Sequence, residues 1–171
     1  MIRIATPTDA HELAALHILT WQQAYKNLMP QTFLDDLDLE FESRGKQWHQ
    51  AISNNQVSVL LDYDAETLIG FAACGQSFDH DAKSTWSELG ALYYLDKYWG
   101  SGRAQTLLHK ALHQLSANGS SIASLWVLDT NFRAIAFYKK HGFTFDGGEK
   151  REQKPEFTIR ELRMVKSLST T

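Results

Sequence analysis

The chain has 171 residues, 43% of them hydrophobic, and its 17 basic and 20 acidic side chains give a formal charge of −3. That length fits one domain, able to bury roughly 70% of its unfolded surface without disulfides or metals. Three prolines, ten glycines and 22% charged residues exclude collagen-like, low-complexity and disordered classes. The mildly acidic balance argues against a nucleic-acid partner. The longest apolar run, Leu68–Cys74, is far shorter than the ~20 residues a bilayer requires. Met1–Ala5 has no charged segment leading into an apolar stretch, as a secretory leader would. A lone cysteine, Cys74, forbids an intrachain disulfide and a cysteine-rich zinc site. Together these predict a cytoplasmic protein with no membrane partner and no metal.

In chain order, Met1–Ala5 reads as a strand, and Asp9 is placed to cap the helix carrying Leu13, Leu16, His17, Thr20, Trp21 and Ala24 at helical spacing. Pro30 interrupts it, and a weaker helical region covers Gln31–Ser53. Val57, Val59 and Leu61 alternate as in a half-buried strand. The turn chemistry of Asp62–Glu66 then leads into a partner strand over Thr67–Ser77. Glu88–Leu95 is another strand. Ala104, Leu107, Leu108, Ala111, Leu112 and Leu115 form the clearest amphipathic helix in the chain, stopped by Asn118-Gly119. Ser121–Leu128 reads as a buried strand, Asn131–His141 as a short helix, and Phe143–Phe145 with Phe157–Val165 as closing strands. No repeat or linker divides the chain, so residues 1–166 form one domain and 167–171 a frayed tail. The pattern predicts an α/β fold, a mixed sheet of about six to seven strands covered by helices.

Two constellations carry chemistry. In Trp99-Gly100-Ser101-Gly102-Arg103-Ala104 a strand passes into a helix through two glycines. Small residues let a ligand approach the backbone, and the first N–H groups and dipole of the helix make an anion cradle. The same residues suit a plain tight turn, and no Gly-Lys-Ser/Thr follows to make a P-loop. The second is Asn131-x-x-Ala134-x-x-Phe137-Tyr138-x-x-x-Gly142-Phe143. Asn131 and Tyr138 stand two helical turns apart on nearly one face, though a helix cap and a core ring are the plainer uses of each.

In order and spacing these segments resemble the GNAT superfamily of acyl-CoA-dependent N-acetyltransferases. Gly102 and Ala104 fall on the last two positions of its Gln/Arg-x-x-Gly-x-Gly/Ala motif, and the Asn131–Phe143 pattern is similar to its second cofactor motif. Trp99, Ser101 and Arg103 depart from the residues usual there, and Asp96 stands where proline is frequent. The resemblance implies a three-layer α-β-α fold, its mostly antiparallel sheet opened by a splayed parallel pair, Glu88–Leu95 and Ser121–Leu128. It implies acetyl-CoA as cosubstrate. The pantetheine arm would lie along Leu92, Tyr93 and Tyr94, and the diphosphate on Trp99, Gly100, Ser101, Gly102, Arg103, Ala104 and Gln105. Asn131, Arg133, Ala134, Tyr138 and Lys140 complete the implied cofactor site, with Asn131 orienting the arm and Arg133 and Lys140 near the 3′-phosphate. A helix end and solvent are alternative partners for those two cations.

For catalysis the resemblance implies Tyr138 as the acid for the departing thiolate, a phenol of ordinary pKa ~10. Glu88 is placed as the general base, or else as a strand-surface carboxylate. Buried Cys74 fits an inert core residue better than a nucleophile. The acceptor implied is a primary amine of a small molecule or peptide, and a homodimer is common among members. Trp21, Tyr25, Phe33, Trp48, Phe78 and Trp86 are candidates for an aromatic acceptor wall, with Asp79 and Asp81 to attract a cationic amine. A non-catalytic acyl-CoA sensor and a nucleotide-binding module are the competing functions.

Overall fold

The computed structural model describes residues 1–168. Seven strands form one sheet in the order β1-β2-β3-β4-β5-β7-β6. They are β1 (Ile2–Ile4), β2 (Val57–Asp64), β3 (Thr67–Gln76), β4 (Trp86–Tyr94), β5 (Ile122–Leu128), β6 (Thr144–Gln153) and β7 (Thr158–Ser167). The helices are α1 (Ala10–Tyr25), α2 (Gln31–Asp35), α3 (Phe41–Ser53), α4 (Arg103–Ala117) and α5 (Phe132–Lys140). The expected region Gln31–Ser53 is thus α2 and α3 joined by a 3-10 segment, Asp36–Glu40. Among the described residues no helix is long and apolar enough to cross a membrane.

The helices cover both faces, as expected of three layers. The apolar stripe of α4 sends Leu107, Leu108, Leu112 and Leu115 against Ala72, Cys74, Leu89 and Leu125. Fully burying each leucine contributes about 1.5–3 kcal/mol relative to leaving it exposed. On the other face Leu13 and Leu16 of α1 pack with Val59, Leu61, Phe71 and Ala91. Ile18, Leu34 and Leu37 meet Leu128 and Ile159 in a third cluster.

The sheet's one departure from regularity positions the site. β4 and β5 are parallel, and they pair only from Trp86–Glu88 to Ile122–Ser124. Along β3, Cys74 faces Leu89 but Ala73 faces Ala91, so Gly90 is an extra residue in β4. Such a bulge bends and twists its strand, and beyond it β4 and β5 diverge. β5 stays in register with β7 throughout, from Ile122↔Ser167 to Leu128↔Glu161.

Several boundaries differ from the sequence expectation. Asp9 does not cap α1; its carboxylate takes Arg3 at 2.7 and 2.8 Å and the Thr6 N–H at 2.7 Å. β2 runs on through Asp62–Asp64, leaving a tight turn at Ala65-Glu66. β6 extends to Gln153 although Glu149–Gln153 carries no apolar alternation, because it is an exposed edge held by pairing with β7. Ser167 pairs with Ile122, and the Leu168 N–H donates to Ser121 O at 2.8 Å. Ser169–Thr171 lie outside the described residues.

Candidate active site

A cavity of about 370 Å³ occupies the gap between β4 and β5. It runs from the turn before α4, past α5, to the end of α1, and touches Gly100, Gly102, Ala104, Tyr138, Tyr93 and Tyr25.

At the first end, Gly100 and Gly102 have φ of +77° and +83°, and Gly102 precedes α4 in the left-handed conformation. A Cβ on either would meet no atom within 4 Å. The glycines are therefore required by backbone conformation, rather than by the close approach expected from sequence. The first helical bond of α4 runs from the Thr106 N–H to Gly102 O at 3.2 Å. The N–H groups of Ala104 and Gln105 meet no acceptor among the described residues, and both residues line the cavity. That end carries partial positive charge, so an anionic diphosphate fits it.

The side chains here answer the departures from the motif. Trp99 donates its indole N–H to Tyr94 O at 3.0 Å, and its ring lies 3.4 Å beneath the Arg133 guanidinium. A cation is thus stacked at the cavity mouth, beside Lys140 and His141. Arg103 is turned elsewhere: it pairs with Asp62 at 3.2 Å and Asp64 at 3.0 Å. Neither Arg103 nor Ser101 lines the cavity; the Ser101 hydroxyl donates to Tyr98 O at 2.6 Å.

Along β4, the Leu95 N–H donates to Ile69 O at 3.0 Å. Antiparallel alternation then points the main-chain groups of Tyr93 at β3, and those of Leu92 and Tyr94 at the opened side. An amide-bearing arm would find its partners at Leu92 and the Tyr94 N–H, because Trp99 already takes the Tyr94 carbonyl.

In α5 the cap and the ligand-facing role of Asn131 coincide. Its Oδ1 accepts from the Ala134 N–H at 3.2 Å, and Asn131, Ala134 and Tyr138 all line the cavity. Tyr138 is wedged between Phe137 and Phe143 at 5.4 and 5.7 Å, and its hydroxyl has no hydrogen-bond partner among the described residues. Burial raises its pKa, reinforced by Tyr25 and Cys74 and opposed by Arg133. The phenol is therefore protonated at neutral pH and available as a donor.

At the far end Tyr25 and Tyr93 share a hydrogen bond of 2.9 Å between their hydroxyls. Behind them Trp21, Trp48, Phe71 and His17 pack ring to ring. Burial and Arg44 lower the His17 pKa to about 3, so the ring is neutral. Glu88 does not line the cavity itself; its Oε1 lies 3.8 Å from where a Cβ on the cavity residue Gly90 would stand. Burial raises its pKa, Lys150 opposes this, and Asp79 and Glu161 add to it. Glu161, absent from the sequence expectations, is a second half-buried carboxylate raised by burial. Neither glutamate has a hydrogen bond or ion pair among the described residues. No sequence signal marks Glu161; its place follows from the pairing of β7 with the end of β5.

Other expected acceptor groups are engaged elsewhere. Arg163 takes Asp79, Asp81 and Asp146 at 3.3, 2.6 and 2.8 Å, and Lys150 reaches Asp79 at 3.1 Å. Asp79 and Asp81 are thus engaged by Arg163, with Lys150 also on Asp79. Phe33 packs on Phe157 and Trp86 lies near Arg163, while Phe78 is 85% exposed. Burial pushes the Cys74 thiol up to about 12, which denies it a nucleophilic role. Among the described residues no group of three His, Cys, Asp or Glu is placed to hold a metal ion.

A mixed sheet split at one parallel pair, with a positively polarised helix start at one end of the cavity and a neutral phenol at its middle, frames the site. The family is set by comparison. Residues 18–143 match the model of the acetyltransferase (GNAT) family, and the chain belongs to that family. An uncharacterised N-acetyltransferase of Mycobacterium tuberculosis is 30% identical over 141 residues, 82% of this chain and 86% of that one. In fold the chain is similar to the PaiA N-acetyltransferase of Thermoplasma acidophilum solved with coenzyme A. The TM-score is 0.74 and identity 20%, over 98% of this chain and 99% of that one. YncA of Salmonella typhimurium, solved with acetyl-CoA, gives 0.72 and 17% over 99% and 94%.

Proposed function

We propose that this acetyltransferase moves an acetyl group from acetyl-CoA to a primary amine of a small molecule or peptide, by direct attack within a ternary complex. The observation that carries the reading is the continuous cavity joining the unpaired N–H groups of Ala104 and Gln105 to the Tyr138 phenol. Acetyl-CoA supplies an activated acyl group and a thiolate leaving group. The main chain of Gly100–Gln105 holds the diphosphate, with Arg133 stacked on Trp99 adding positive charge. The free edge of Leu92 pairs the pantetheine amides.

Glu88 takes the proton of the attacking amine, directly or through water, and its raised pKa brings it nearer the working pH of a base. Tyr138 donates its phenolic proton to the departing sulfur. Glu161 and the Tyr25–Tyr93 pair border the acceptor side. The test is thiol release from acetyl-CoA with a panel of amines, polyamines, aminoglycosides and peptides, run beside thermal shifts with coenzyme A. Amine-dependent release supports transfer. Binding of coenzyme A without release under any amine would point to a sensor, and stabilisation by ATP alone to a nucleotide module.

A further inference from the structure

Asp62 lies outside the cleft, at 3% exposure, and nothing above gives it a task. It stands in a row across three strands: Asp62 faces Gly70 in the β2–β3 register, and Gly70 faces Tyr94 in the β3–β4 register. A Cβ on Gly70 would sit 2.4 Å from the Tyr94 ring. Glycine in the middle strand therefore lets that ring cross β3 and reach β2. The Tyr94 hydroxyl donates to Asp62 Oδ2 at 3.0 Å and lies 3.2 Å from the Arg103 carbonyl. Asp62 also takes the Arg103 guanidinium, whose second nitrogen reaches Asp64. Asp64 in turn accepts from the Tyr98 hydroxyl at 2.9 Å.

Both ends of the glycine turn are thus tied to one strand, at Tyr98 before Gly100 and at Arg103 after Gly102. The turn needs this. Glycine is the least restrained residue in the unfolded chain, and within the turn the side-chain ties are those of Ser101, to Tyr98 O and from the Arg103 N–H, and of Trp99, to Tyr94 O. We infer that Asp62 is a positioning residue for coenzyme A binding, holding the start of α4 so that its free N–H groups converge on the diphosphate. The inference rests on the acetyl-CoA reading above.

Charge and position predict opposite signs, which makes the test decisive. Asp62 is an anion near an anion-binding turn, so Asp62→Asn and Asp62→Ala would tighten coenzyme A if electrostatics alone mattered. If Asp62 positions the turn, calorimetry gives a Kd for coenzyme A weaker by about tenfold, and the KM for acetyl-CoA rises equally. In that case kcat stays within about twofold and the acceptor KM is unchanged. A merely structural role would lower the melting temperature and leave Kd alone. A tighter or unchanged Kd overturns the inference, and Asp62→Asn, which keeps the side-chain shape, serves if Asp62→Ala does not fold. Failure of the wild-type protein to bind coenzyme A would overturn the acetyl-CoA reading first, and is seen without any variant.

Discussion

At the end of the cleft near α4, the polar groups left without a partner are the main-chain N–H groups of Ala104 and Gln105, after the turn at Gly100 and Gly102. At the end near α1 the lining is side chains from separate elements, Tyr25 on α1, Tyr93 on β4 and Trp126 on β5, with the unpaired carboxylates of Glu88 and Glu161 outside the lining. The first end tolerates side-chain change, since Trp99, Ser101 and Arg103 depart from the family motif while the backbone cradle stands. The second end has no such reserve, because each chemical group there is a side chain on a different strand or helix. On the proposed reading, cofactor binding is a property of local backbone shape, and catalysis and acceptor choice are properties of assembly.

Substitutions at the two ends separate this contrast. The largest effect is expected from Tyr138→Phe, which removes the donor and keeps the ring between Phe137 and Phe143. Turnover should fall by about 10³ with the Kd of coenzyme A within about twofold. A comparable loss of affinity would make Tyr138 part of the binding end instead. Glu88→Gln should lower kcat/KM by about 10² and remove the acidic limb of the pH profile.

Glu88 also carries a stability signature of opposite sense. Its pKa is raised in the folded state, so folding favours the protonated form. Its contribution to stability is complete below the unfolded value and is lost as pH rises through the folded one. At pH 7 Glu88→Gln should therefore melt slightly higher than the wild type while acting more slowly, and the gain should vanish below pH 4. A lower melting temperature at pH 7 would mean that the carboxylate has an ionic partner.

At the cofactor end, Gly102→Val places a β-branched residue at a φ of +83°. Because no neighbouring atom obstructs the side chain, the penalty is conformational, about 1–3 kcal/mol, and coenzyme A affinity should fall by about tenfold or more with kcat little changed. Calorimetry on the purified variant checks this, and unaltered affinity would show that the turn does not hold the diphosphate. The smallest effect belongs to Cys74→Ala: acetyl transfer within about twofold of wild type, since a thiol pushed up to about 12 is no nucleophile. Inactivation by that change would replace direct attack with a thiol-borne acyl group.

The same contrast explains what could be read from residues alone. The α4 stripe and the Asn131–Phe143 pattern are local, so both helices stand where the periodicity puts them. The splayed strands were implied by the resemblance, but the bulge at Gly90 that separates them was not legible, since a glycine in a strand marks several things. Arg103 looked like a phosphate ligand from its position in the motif. Its capture by Asp62 and Asp64, about forty residues away in sequence, depends on the register of three strands. The pairing of Asp79 and Asp81 with Arg163, more than eighty residues later in the chain, was not legible for the same reason.

By itself the sequence determined the order of elements, the two cofactor motifs and the glycine turn, because these rest on hydrogen bonds and packing within a few residues. Only the tertiary structure decided which charges are free. Whether a carboxylate or guanidinium faces a ligand or another side chain depends on strand pairing, and a shift of one residue turns a side chain to the opposite face. Glu88 and Glu161 are left unpaired among the described residues, while Asp62, Asp79 and Arg103 are taken up in ion pairs.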